Sequence, residues 1–218
     1  FGMYYGGIKN DTVAVFSVVL SDARCYQDKL EDPYMDSDGD IELTVTGGKH
    51  LKVNYVGKNI SNYDSMLVLS HFKGHPMGGY GGAIKQLSIG CASSYGKAYV
   101  HGAGEVDKIW TADHDLFLES MADSAMSVVD FFGGRIAYIN VMKNMSVDCD
   151  CCAKAEDPCM KDIGILSSTD PIALDKACID LLYNSQDKGK DKLIERIESR
   201  NGIHTIECAA ELNIGTRE

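Results

Sequence analysis

Hydrophobic and polar positions along this chain fall into segments of two different periods. Thr12 to Leu20 is β-branched and apolar, which predicts a buried strand. Ile41 to Thr46 and Leu51 to Val56 alternate apolar and polar residues on either side of Gly47-Gly48, the pattern of a hairpin with one wet face. Ser65 to Ser70 is a further apolar run, expected as a central strand, and a glycine-dense loop from Gly74 to Gly82 follows it. The period then changes. After Asp113-His114-Asp115, residues Phe117, Met121, Ala125, Val128 and Phe132 recur at helical spacing and build one buried stripe, which Gly133-Gly134 ends.

Ile136 to Met142 reads as another buried strand, and Gly164 to Ser167 as a short one. Thr169-Asp170-Pro171 is a helix start, with a side-chain cap and then proline at the first helical position. The helix it opens has a stripe of Leu174, Ala177, Cys178 and Leu181. A second helix is expected over about 190–200, ending at Asn201-Gly202, and a third over about 205–212. Strands alternating with helices favour an α/β fold with a central mixed sheet and helices concentrated in the C-terminal half. That crowding leaves α+β open. A length of 218 residues suits a single domain spanning 1–218. Phe1 rather than Met stands first, so a trimmed or excised chain is expected.

Charge narrows the partners. With 21 Lys plus Arg against 32 Asp plus Glu, the net charge is −11, contrary to the basic footprint of a nucleic-acid binder. It is equally contrary to an anionic membrane surface as partner. Val13 to Leu20 is too short to span a bilayer and has no basic stretch before it, so a cytoplasmic protein is expected.

A reducing compartment leaves the 8 cysteines as thiols for metal or redox chemistry. Four crowd together: Cys149, Cys151, Cys152 and Cys159. In an extended segment Cys149 and Cys151 face the same side, and the loop from Ala153 to Pro158 can return Cys159, so four metal ligands are available in one loop. The spacing fits neither a ferredoxin run nor a paired zinc ribbon, and unligated thiols are the alternative. Asp148 and Asp150 oppose a bare thiolate cluster, a penalty that a bound cation reverses. Cys178 and Cys208, among apolar helical neighbours, read as small buried hydrophobes.

The glycine loop carries the second constellation. Lys73, His75 and Lys85 flank backbone that Gly79, Gly81 and Gly82 leave open, immediately after a predicted strand. Such backbone can offer amides to an anion, above all if a helix starts near Gly82. Lys73 and Lys85 would bind the anion and His75 would serve as acid or base. His71 and His75 as metal ligands, or a solvated glycine turn, are the alternatives. His101 is a weaker candidate.

His71-Phe72-Lys73-Gly74-His75 with Gly78 to Lys85, then Ser88-Ile89-Gly90, Ser146 to Cys151, Asp162 to Leu166 and Asp170 to Asp175, form an ordered set. That set resembles a bacterial and archaeal family of uncharacterised iron–sulfur-centre proteins, a domain of unknown function often found beside ferredoxin-type modules. The resemblance runs from about Ile41 to the C-terminus; it implies a further N-terminal region that is partly lacking here, and against it residues 1–35 are an atypical N-terminal segment. Asp148, Cys149 and Cys151 match its pattern, whereas Cys152 and Cys159 look like additions. It implies an iron–sulfur cluster or a single metal ion (Fe or Zn), and a ferredoxin-type electron-transfer partner.

Together these readings predict a protein with a metal-binding cysteine loop beside an anion-binding glycine loop, in a redox or metal-handling role. The alternative is an enzyme acting on a small anionic substrate, with the cysteine loop a structural zinc site or unligated.

Overall fold

A computed structural model describes residues 3–6, 13–18, 39–149 and 156–217. Its centre is a five-stranded mixed sheet. β1 (Met3–Gly6), β2 (Val13–Val18), β5 (Ser65–His71), β8 (Ile136–Met142) and β9 (Gly164–Ser168) lie in the order β1-β2-β5-β8-β9. The inner strands β2, β5 and β8 are parallel, and β1 and β9 run antiparallel at the two edges. β5 is therefore central, as its apolar run predicts. Its burial alternates, with Met66, Val68 and Ser70 fully enclosed. In β8 the enclosed positions are Ile136, Tyr138, Asn140 and Met142.

Two small hairpins flank the sheet. β3 (Asp40–Thr44) pairs with β4 (Val53–Gly57) around the Gly47-Gly48 turn. β6 (Lys73–His75) pairs with β7 (Gly79–Gly81), so the glycine loop is itself a hairpin. It leads into a single turn of helix, α1 (Ala83–Lys85), that widens into a π turn over Gln86–Gly90.

The remaining helices are α2 (Ser94–His101), α3 (His114–Phe132), α4 (Pro171–Asn184), α5 (Lys190–Ser199) and α6 (Ile203–Glu211). This is the α/β architecture with helices concentrated C-terminally. α3 begins where Asp113 caps the amides of Asp115 and Leu116, and it ends on Gly133 in the left-handed region (φ 56°). Its predicted stripe, Phe117 to Phe132, is buried throughout. α4 starts as read from the sequence, with Asp170 accepting from Ile172 and Ala173 ahead of Pro171.

The stripe of α4 needs correction. Leu181 is 43% exposed, and the neighbouring Leu182 is fully buried together with Leu174, Cys178 and Ile179. α4 covers β8 and β9, whereas α3 packs along α6, the π turn and the β3–β4 hairpin. The burying face thus follows the sheet and the neighbouring helices rather than the apolar count alone. Among the described residues no helix is long and apolar enough to cross a membrane.

Candidate metal centre and the glycine hairpin

Glu119 lies on α3, one helical turn before Asp123, so the two carboxylates share a face of that helix. α6 lies along this face and presents His204 and Cys208, again one turn apart. Glu119 Oε1 is 3.2 Å from His204 Nε2 and 3.8 Å from Cys208 Sγ, and His204 Nε2 is 3.4 Å from that sulfur. Carboxylate, imidazole and thiol therefore offer one ligand atom each, all within 4.8 Å of one another. The group could hold a single metal ion.

The surroundings orient these ligands. The turn between β3 and β4 sits on the carboxylate of Asp123, which accepts the backbone N–H of Lys49 (2.9 Å), His50 (2.7 Å) and Leu51 (2.9 Å). Asp123 is wholly buried, so the amides it receives replace water as its solvation. The His50 ring Nε2 thereby meets Glu119 Oε2, leaving Oε1 turned to His204 and Cys208. Lys49 places its ammonium 3.5 Å from Glu119 Oε1, 3.6 Å from Cys208 Sγ and 2.7 Å from Glu211.

These contacts shift the titrations in opposite directions. Burial works to raise Glu119, but the hydrogen bond from His50 and the charge of Lys49 outweigh it and hold the carboxyl below its ordinary value. Burial pushes the Cys208 thiol up to about 11, against the pull of Lys49. Metal binding must release that thiol proton, so affinity rises with pH until the thiolate forms.

The glycine hairpin forms a second cluster, packed against Gly202 just before α6. His75 is buried, and its Nδ1 accepts the amides of Met77 (3.2 Å) and Gly78 (3.0 Å). The ring proton therefore sits on Nε2. Burial pushes His75 down to about 4; the charge of Lys85 lowers it further, and a hydrogen bond with Cys149 acts the other way. His101 is held near 4 as well, by burial and by the charges of Lys85 and Lys97. Lys73 is buried, with its Nζ 3.4 Å from His71 Nδ1.

The amides at the start of α1 are already engaged. The buried Asp175 carboxylate accepts the N–H of Ala83 (2.8 Å) and Ile84 (3.0 Å), the Asn140 side-chain amide (2.7 Å) and the Tyr80 hydroxyl (3.2 Å). An internal carboxylate thus occupies the place where an anion would meet this helix start. Gly82 is required by the same contact, since a Cβ there would lie 2.5 Å from Asp175 Oδ1. Gly79 has φ +78° and packs its Cα side against Gly202.

A family model described as a domain of unknown function, DUF362, matches residues 9–180. The chain belongs to the DUF362 family. No curated protein and no solved structure matches it. Glu119, His75 and Cys149 fall inside the family match, and His204 and Cys208 lie beyond it.

Of the four clustered cysteines, Cys151 and Cys152 lie outside the described residues. Cys149 stands beside His75, and the Gly74 amide donates to Ser146 O at 2.9 Å, so the glycine hairpin and the start of the cysteine loop are neighbours. Cys159 turns its Sγ to Met145 O (3.3 Å). Arg196 pairs with Asp148 at 2.9 Å, which neutralises the acid next to Cys149.

Reading Cys208 as a small buried hydrophobe describes its burial and misses its chemistry. It is 1% exposed, yet its sulfur faces a lysine, a histidine and a glutamate. The available signal is His204-x-x-x-Cys208, two metal-binding side chains at one-turn spacing on a predicted helix.

Proposed function

We propose that this member of the DUF362 family binds a single divalent transition-metal ion through Glu119, His204 and Cys208. The supporting observation is the convergence of three ligand atoms from two helices within 4.8 Å. One thiolate with one imidazole and one carboxylate suits Zn2+ or Fe2+. An iron–sulfur cluster takes several thiolates, and this site supplies one. Three protein ligands leave the fourth position of a tetrahedral ion to water or substrate, so metal handling and metal-assisted chemistry are the roles we infer.

The test is Co2+ titration of the reduced, metal-free protein. A sulfur-to-cobalt charge-transfer band should appear at one equivalent. It should vanish in Cys208→Ser and survive in the Cys149→Ser, Cys159→Ser double variant. A band that follows Cys149 or Cys159 instead moves the metal to the cysteine loop.

A second reading, an enzyme acting on a small anion, draws support from the His75–Cys149 contact within reach of the Lys85 charge. Here the Nε2–H of the neutral His75 ring would donate a hydrogen bond to the anion. Turnover lost in His75→Ala with Co2+ binding at Cys208 unchanged would favour that separate chemistry.

A further inference from the structure

The ammonium of Lys49 lies against the same two atoms that a metal would take. It is 3.5 Å from Glu119 Oε1 and 3.6 Å from Cys208 Sγ, and its shortest contact, 2.7 Å, is with Glu211. The three-amide grip of Asp123 on residues 49–51 fixes the backbone from which Lys49 reaches the site. Glu211, on α6 one residue short of a full turn beyond Cys208, is 64% exposed and is not among the converging ligands.

A divalent ion bonded to Oε1 and Sγ at about 2.0–2.3 Å would stand within a few ångströms of the ammonium. Two cations cannot share those donors without strong repulsion. We propose that Lys49 is a resident counter-cation that competes with the metal for Glu119 and Cys208 and withdraws to Glu211 when the metal binds. The inference rests on the metal reading above. It adds that the affinity of the site is set by an exchange of one cation for another, with Glu211 as the place where the displaced ammonium is held.

The chemistry explains why a site with a buried thiol carries a lysine at all. In the metal-free protein the ammonium balances Glu119 and Glu211, which would otherwise repel each other where α6 packs along α3. In the metal-bound protein the same lysine remains paired, through Glu211, at the rim.

The experiment measures Co2+ affinity by the thiolate band, and Zn2+ affinity by competition, for the full chain and for Lys49→Met, with Lys49→Gln as a second replacement. Both should bind metal about tenfold or more tightly than the unsubstituted protein, allowing for screening at a partly exposed position. Glu211→Gln should weaken binding when Lys49 is present, and its effect should shrink in the Lys49→Met background.

Unchanged or weaker binding in both Lys49 variants, with a normal thiolate band in the unsubstituted protein, overturns the counter-cation role and leaves the metal site standing. No band in the unsubstituted protein or in either Lys49 variant overturns the metal reading itself. A band that appears only when Lys49 is replaced supports the exchange in its strongest form. An equal effect of Glu211→Gln in both backgrounds removes Glu211 from it.

Discussion

The carboxylate of Asp123 accepts the backbone amide of His50 at 2.7 Å from the interior of α3, and this contact helps tie the β3–β4 turn to the helix face that carries Glu119. The adjacent amides of Lys49 and Leu51 are held by the same group. Asp123→Ala leaves three buried or half-buried amides without that acceptor. The expected cost is about 3 kcal/mol, read as a lower urea midpoint with an unchanged slope. A loss below about 1 kcal/mol would mean that water replaces the carboxylate and that the turn is not held by it.

His50 would act on a bound metal through Glu119. Its ring meets Oε2 and so directs Oε1 to His204 and Cys208. His50→Ala should lower Co2+ affinity by roughly 10- to 100-fold while keeping the thiolate band, as removal of partners behind metal ligands does. A changed band shape would instead make His50 a ligand.

Asp175 should be among the most sensitive positions for stability. It is wholly buried and accepts from Ala83, Ile84, Asn140 and Tyr80. Asp175→Ala is expected to cost about 3 kcal/mol or more, because several buried donors lose their partner together. Gly82→Ala should cost about 1–3 kcal/mol by driving a methyl group towards Oδ1. Thermal unfolding of the two single variants and the double variant checks the link. Coupled, non-additive losses are expected from a shared contact.

Acid should destabilise the fold through His75 and His101. Both are held neutral near 4 against an ordinary 6.5, first by burial and then by the charge of Lys85. Between those values the unfolded chain takes up protons that the folded chain refuses, so stability is complete above 6.5 and is lost as the pH falls towards 4. Each histidine should remove roughly 2 kcal/mol at about pH 5. His101→Gln should flatten the profile of urea midpoint against pH; an unchanged profile would place the proton uptake elsewhere. His101 also holds Lys97 O at 2.7 Å and stacks on Phe117, so some loss at neutral pH accompanies the flattening.

The order of elements was open to sequence reasoning because it depends on local chemistry. Apolar runs marked β2, β5 and β8, and Asp113, Gly133 and the Asp170-Pro171 pair marked the helix ends through capping and backbone geometry. The family resemblance also rested on local motifs, and the DUF362 match supports its uncharacterised character. The buried face of α4 departs from its apolar pattern at Leu181, because sheet contact rather than hydrophobicity selects the residues turned inward. The convergence of Glu119, His204 and Cys208 lies beyond local pattern altogether. Glu119 and Cys208 are 89 residues apart, and only the packing of α6 along α3 brings their ligand atoms together. Likewise, a helix start near Gly82 reads as open to an outside anion, whereas the fold puts Asp175 on the amides of Ala83 and Ile84 from 92 and 91 residues away. Composition and spacing determined which side chains could bind a metal or an anion. Tertiary packing decided which of them share a site and which donors the protein keeps for itself, because long-range convergence depends on helix and sheet contacts that no short stretch of sequence encodes.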